Sequence, residues 1–298
     1  MTGTVLITGP TKNLGRHAVL AMARRKDKPD LLLVGRRGAE LTAVAAEARA
    51  LGADVHEIGC DLASLADVRA AAATVRELLD SGAVRPLRAL VANAGLASAG
   101  QTSADGHELT FAVNHLAHAQ LIGALLDRFT APARIVLLGS NTYHQNFWRK
   151  LLGVTPARWA DPVELAGARA DDSMAAYSTA KLAILYYAHE LQRRVGDGIG
   201  VSVFEPGWMP GTGLGRNAPP AVQAVSRFLG RLPGMSKPQT SGPLLASVAL
   251  DDKWAHLRDG AFVLKNRVAD VQPVAHDRDR ERRLWDVTAE LLAPVSRG

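Results

Sequence analysis

Tyr177 and Lys181, in the stretch "AAYSTAKLA" (residues 175–183), stand one helical turn apart. Residues at this spacing share a helix face, so a phenol and an ammonium can address the same small volume. A free tyrosine ionises near pH 10 and exchanges protons poorly at neutral pH, but an adjacent positive charge favours the phenolate and turns the pair into a usable acid–base couple. The other reading is a polar stripe on a solvated helix face. Spacing alone does not choose between them, so the surrounding elements must.

Those elements follow a regular rhythm. The apolar runs "TVLITG", "DLLLVG", "DVHEIG", "LRALVANAG", "RIVLLGS", "GVSVFEPG" and "GAFVLKN" recur along the chain, separated by segments with helical periodicity. Parallel neighbours need a long crossover and bury both sheet faces, so this pattern predicts an α/β fold: a doubly wound, Rossmann-type parallel sheet of about seven strands with helices on both faces. Residues 1–298 read as one domain, a length that open α/β folds reach around a single core. Residues 141–173 and 208–240 interrupt the rhythm. Both follow C-terminal strand ends, where open α/β sheets bind ligands, and are expected to form the walls of a substrate pocket.

The first strand leads directly into "TGPTKNLGR" (residues 8–16) and a helix rich in Ala and Leu. Strand, Gly-containing turn and helix N-terminus together make a pyrophosphate site, because free backbone amides and the helix dipole favour an anion. Thr8, Gly9, Thr11, Lys12, Asn13, Leu14 and Gly15 are the candidate contacts. The second strand ends in "LVGRR": Gly35 stands where an NAD enzyme usually offers a carboxylate to the ribose hydroxyls, and Arg36 and Arg37 follow. A guanidinium binds a 2'-phosphate by charge-assisted hydrogen bonds, and Lys12 can approach from the other side, so NADP(H) is the expected cofactor. Asp61, with Leu62, is placed at the adenine edge; Asn93, Ala94 and Gly95 bring backbone close to the cofactor, and Pro206 and Gly207 close the sixth strand beside it.

Composition narrows the field. With 47% hydrophobic and 21% charged residues and a mean hydropathy near zero, the chain has the make-up of a globular protein. The 35 basic and 29 acidic residues are interspersed, and no basic stretch alternates with stacking aromatics, so nucleic acid is not an expected partner. The nine histidines lack ligand spacing and the single cysteine, Cys60, cannot form a cluster, so no metal site is expected. No apolar run approaches the length of a membrane-spanning helix and the N-terminus has no leader pattern. A cytoplasmic location without stable membrane insertion is therefore expected.

These motifs together make the sequence resemble the short-chain dehydrogenase/reductases over nearly its whole length. Thr8, Gly9 and Gly15 match the Gly-rich signature, Asn93, Ala94 and Gly95 the Asn-Ala-Gly turn, and Tyr177 and Lys181 the active-site pair; "FAVNHLAHAQL" supplies Asn114 and "VLLGSN" supplies Ser140. "FAVNHLAHAQL", the long gap between Ser140 and Tyr177, "PGWMPGTGLGR" and "RRLWDVTAELL" are similar to the retinol dehydrogenase and light-dependent protochlorophyllide reductase branch, which implies a bulky apolar carbonyl or alkene substrate. The resemblance implies that Tyr177 exchanges a proton with the substrate oxygen, Ser140 holds that oxygen, Lys181 binds the nicotinamide ribose, and Asn114 positions a water. Tyr143, His144, Trp208 and Met209 are candidate pocket residues, and "NFWRKLLG" (residues 146–153) a candidate lid. Two positions depart from the family pattern: Asn13 replaces the second glycine, and Ala92 the first asparagine of the more usual Asn-Asn-Ala-Gly. The expected partner is a small carbonyl or alcohol; the family also forms homo-oligomers. A non-catalytic NADP-binding regulator and a reductase of carbon–carbon double bonds are the alternatives.

Overall fold

A computed structural model of the chain describes residues 3–151, 153–167, 169–209 and 235–293. Seven parallel strands run β1 (Thr4–Thr8), β2 (Asp30–Gly35), β3 (Val55–Gly59), β4 (Leu87–Ala92), β5 (Phe129–Leu138), β6 (Ile199–Glu205) and β7 (Ala261–Leu264), in the spatial order β3-β2-β1-β4-β5-β6-β7. A two-residue β8 (Arg267–Val268) adds an antiparallel edge that the sequence pattern does not disclose. The order reverses at β1, between β2 and β4, which opens a crevice at their C-terminal ends.

Both sheet faces are covered, as near-continuous apolar strands require. On one face Val5, Ile7, Leu31 and Leu33 pack under α1 (Asn13–Ala23), α2 (Ala39–Ala50) and the helix Pro238–Leu250. Gly242 of that last helix lies so close to α1 that a Cβ there would stand 2.7 Å from the Ala18 nitrogen, so only glycine permits this helix crossing. On the other face Leu6, Leu32, Val34 and Leu90 pack under α3 (Leu65–Asp80), α4 (Leu109–Phe111) with its continuation α5 (Ala117–Leu125), and α8 (Ser173–Arg194). The helix Arg278–Leu292 closes over α8.

Between α4 and α5 the backbone widens into a π-turn over Ala112–Leu116, a feature often tied to functional sites. The whole helical run Leu109–Arg128 corrects one expectation: by length and composition, with a mean hydropathy of 1.3, it could cross a membrane. Its apolar window is 72% buried within the fold, which accounts for that composition as a core helix. Past β5 come two short helices, α6 (Phe147–Leu151) and α7 (Pro162–Gly167); of the second expected wall, residues 210–234 lie outside the described residues.

Candidate active site

The C-terminal ends of β1, β4, β5 and β6 deliver Thr8, Asn93, Ser140 and Glu205 to one region, and α8 brings Tyr177 and Lys181 against them. Asp172 starts α8: its carboxylate accepts from the amides of Met174 (2.8 Å) and Ala175 (3.1 Å), a cap that fixes the helix just ahead of Tyr177. Lys181 is 1% and Tyr177 7% exposed, so the pair faces the sheet rather than solvent. Lys181 Nζ donates to the Leu138 carbonyl (2.6 Å) and lies 5.3 Å from the centroid of the Tyr177 ring. The Ser140 side chain lies near enough to Tyr177 to ease the ionisation of its phenol.

Electrostatics here are dominated by burial. It pushes the Tyr177 phenol above its ordinary value, reinforced by the Glu205 charge and partly offset by the nearby Ser140 side chain. It lowers the Lys181 ammonium to about 8, with Glu205 pulling the other way. Glu205 itself is pushed up to about 7 by burial, against the stabilising pull of the Asn141 amide and Lys181.

The Gly-rich turn is a cradle without room for side chains. A Cβ on Gly15 would run into the Gly9 carbonyl oxygen and stand 2.6 Å from Asn93 Nδ2; one on Gly9, whose φ is +63°, would stand 3.0 Å from Ala94. Asn93 Nδ2 donates to the carbonyls of Thr8 (2.9 Å) and Gly9 (3.0 Å), locking the first turn onto the fourth. Asn13 adopts φ +46°, the left-handed region that asparagine tolerates better than most residues, so the turn keeps its glycine-like backbone despite the substitution.

His118 extends this network. Its Nδ1 faces the Asn114 carbonyl (3.1 Å), which can only accept, so Nδ1 carries the proton; Nε2 then accepts from the Thr8 hydroxyl (2.9 Å), and Thr8 Oγ1 accepts from the Ala94 amide (3.0 Å). Burial lowers His118 to about 4, in keeping with a neutral ring. Asn114, 1% exposed, exchanges hydrogen bonds with the Leu96 backbone, accepting at 2.8 Å and donating at 2.9 Å, and its Oδ1 lies by Gly95.

A family model for short chain dehydrogenases matches residues 3–149. Human (Homo sapiens) retinol dehydrogenase 13 is 30% identical over 304 residues, covering 97% of this chain and 84% of that protein. The chain belongs to the short-chain dehydrogenase/reductase family. Protochlorophyllide reductase A of Oryza sativa subsp. japonica is also 30% identical, over 98% of this chain and 81% of its own. These relatives put the chain in the retinol dehydrogenase and protochlorophyllide reductase branch of this oxidoreductase family. Among solved structures, a blue fluorescent protein from a metagenomic library in complex with NADPH superposes with a TM-score of 0.65 at 22% identity, covering 88% of this chain and 96% of its own; it shares the fold.

In this short-chain dehydrogenase the remaining candidates scatter. Arg36 is exposed at the end of β2, while the Lys12 ammonium pairs with Glu40 (2.6 Å) on the surface. Arg37 folds back over Gly59. Asp61 is exposed, with one carboxylate oxygen accepting from the Ala63 amide (3.0 Å), and Leu62 is buried. Thr11 is partly exposed and Leu14 is buried in α1. The Pro206 carbonyl accepts from Ser241 Oγ (3.1 Å), and Gly207 has φ +83°. Tyr143 is 2% exposed with its hydroxyl committed to the Gln272 amide (2.9 Å), so it serves packing rather than presenting a polar group to a pocket. His144 bonds Arg149 Nη1 through Nε2 (2.6 Å). Trp208 is 46% exposed, and Met209 packs against the core beside α1.

Two residues escaped the sequence reading. His118 lies in the quoted stretch "FAVNHLAHAQL", one turn beyond Asn114; Glu205 is the one acid in the apolar run "GVSVFE", just before Pro-Gly. A carboxylate ending a buried strand is the signal that could have found the second. His189, His276 and Glu281 also bring donor atoms within 4.8 Å of one another, a proximity their sequence spacing does not disclose. Glu281 there already accepts from His189 (2.9 Å) and pairs with Arg193, whose charge opposes a cation, so the cluster ties α8 to the helix Arg278–Leu292.

Proposed function

We propose that the protein is an NADP(H)-dependent oxidoreductase that interconverts a carbonyl and an alcohol on a bulky apolar substrate, with Tyr177 as the proton donor and acceptor. The observation that carries this reading is the buried pair Tyr177 and Lys181, with half-buried Ser140 at the end of β5, beside a glycine cradle that a Cβ would fill. Gly9, Gly15, Asn93 and the start of α1 would hold the dinucleotide, with Arg36 and Lys12 at the 2'-phosphate; the exposed Lys12–Glu40 pair is weak enough to rearrange. Bound there, the nicotinamide would supply or take the hydride.

The chain's own residues do the rest. Ser140 holds the carbonyl oxygen by a hydrogen bond and keeps it against the Tyr177 hydroxyl. Tyr177 gives that oxygen its proton in reduction, and takes it back in oxidation. Lys181 binds the nicotinamide ribose and supports the phenolate when it forms. Asn114 positions a water that returns a proton to the Lys181 side. Phe147, Leu151 and Trp208, each exposed and apolar, suit a bulky apolar partner over the site, with residues 141–173 as one wall.

Retinol dehydrogenase 13 and protochlorophyllide reductase A, by name, act on apolar or macrocyclic compounds, which favours the same substrate class here and keeps reduction of a carbon–carbon double bond as the second reading. The test is a panel of apolar aldehydes, ketones and enones offered with NADPH to wild type and Tyr177→Phe. Turnover by wild type alone supports the proposal. Equal turnover by both proteins rejects the role of Tyr177.

A further inference from the structure

Arg134 of β5 and Arg258, in the loop ahead of β7, bring two guanidiniums together near the N-terminal end of β6, away from the Ser140 end of the sheet. Arg134 pairs in register with Gly200 of the parallel neighbour, so the two positions address the same sheet face. A Cβ on Gly200 would stand 2.8 Å from Arg258 Nη1, so the missing side chain leaves the space that the second guanidinium occupies. Beside them lies a cavity of about 130 Å³, lined by Arg134, Arg258, Asp252, Pro132 and Gly198 among others.

Packing accounts for only part of Arg134, which is 5% exposed. Its Nη1 donates to the carbonyls of Val248 (3.2 Å) and Asp251 (2.8 Å), at the C-terminal end of the helix Pro238–Leu250, where a cation suits the helix dipole. Its Nη2 is buried and has no partner among the described residues. Arg258 donates to the carbonyls of Leu257 (2.7 Å) and Asp197 (3.1 Å). Neither guanidinium pairs with a carboxylate among the described residues, and a buried charge without a counter-charge is costly. Burial works against the Arg134 charge, and the acids that counter it are Asp252 and Asp251. Asp251 is already committed to Arg25 (2.5 Å) and Ser247 (2.6 Å), and Asp252 is exposed. Three guanidiniums, counting Arg25, therefore face two carboxylates.

We propose that this cavity binds a small oxyanion of the phosphate and sulfate class between Arg134 and Arg258. The anion supplies the missing counter-charge and clamps the start of β6 to the end of the helix Pro238–Leu250. Guanidiniums match such an oxyanion through paired, charge-assisted hydrogen bonds, and the cavity has room for several water-sized groups. The site lies apart from Tyr177 and does not depend on the reaction assigned there.

Inorganic phosphate is the probe. Urea unfolding of the full-length protein is followed as phosphate replaces chloride at constant ionic strength. Linkage predicts a saturating gain in wild type, with the folded-to-unfolded ratio rising about elevenfold at ten times the dissociation constant. Arg258→Gln removes one guanidinium and should lose this gain. Asp252→Asn removes an opposing charge from an exposed position and should tighten phosphate roughly twofold to fivefold. Phosphate held at the Gly-rich turn or by Arg36 acts equally on all three proteins, so the differences between them report on this cavity. Selenate soaked into wild-type crystals fixes the position, with its anomalous signal expected within hydrogen-bond reach of Arg134 and Arg258. Equal gains in wild type and Arg258→Gln, phosphate binding that Asp252→Asn leaves unchanged or weakens, or a cavity holding only water in the selenate-soaked crystal each overturn the proposal. Should Arg258→Gln fail to fold, Asp252→Asn and the selenate position decide it.

Discussion

The Lys181 ammonium stands 5.3 Å from the centre of the Tyr177 ring while donating to the Leu138 carbonyl, two residues before Ser140. One cation thus touches β5 and the tyrosine at once. Lys181→Ala should lose both ribose binding and support for the phenolate, so NADPH affinity and turnover should fall together. A titration of NADPH fluorescence beside steady-state rates checks this; a fall in rate with unchanged affinity would separate the two roles.

The proposed preference for NADP(H) rests on Arg36 at the end of β2. Arg36→Asp should weaken NADPH relative to NADH by on the order of 2 kcal/mol, about thirtyfold, because a charge-assisted contact becomes a repulsion. Competitive binding of the two cofactors measures the ratio. An unchanged preference would move the 2'-phosphate away from Arg36.

The neutral His118 makes a prediction with a definite sign. Its folded value is lowered by burial to about 4, and that of His115 to about 3, from the ordinary histidine value of 6.5. Because the folded state holds these rings uncharged, the stability they contribute is whole above the unfolded value and is lost as pH falls through the window from 6.5 to about 4 and below. Urea unfolding across that range should show the decline. His118→Leu should reduce it and, by leaving the Thr8 hydroxyl proton without its acceptor, cost about 1–3 kcal/mol at neutral pH.

Asn13 offers a local test of the Gly-rich turn. At φ +46° a residue with a Cβ and no compensating side-chain amide is strained, so Asn13→Ala should lower stability by about 1 kcal/mol while Asn13→Gly should be tolerated. Thermal unfolding of the two variants distinguishes them. Equal loss in both would mean the asparagine side chain, not its backbone tolerance, matters.

How much of this could be read beforehand follows from what each feature depends on. The seven parallel strands show in sequence because a strand buried on both faces must be apolar throughout, as Leu31 to Val34 are, and the crossovers must be helical. The Tyr177–Lys181 pair is legible because its geometry is local, set by one helix. Glu205 and His118 are not, because their partners lie far away in sequence: Glu205 meets Asn141, and His118 meets Thr8. Tyr143 looks like a pocket residue by its position after Ser140, yet its hydroxyl is drawn off by Gln272, a contact no local pattern encodes. The membrane-length run Leu109–Arg128 escaped notice because polar Asn114, His115 and His118 interrupt it, each held by a partner in the core.

The most direct test of the central claim is the turnover of Tyr177→Phe with NADPH on a substrate that wild type reduces. The substitution removes one hydroxyl from a ring that is 7% exposed and leaves its packing in place, so NADPH binding should remain near wild type. Loss of a general acid should lower kcat by roughly a hundredfold to ten-thousandfold. A Tyr177→Phe protein that binds NADPH and turns over at a near-wild-type rate would contradict the account.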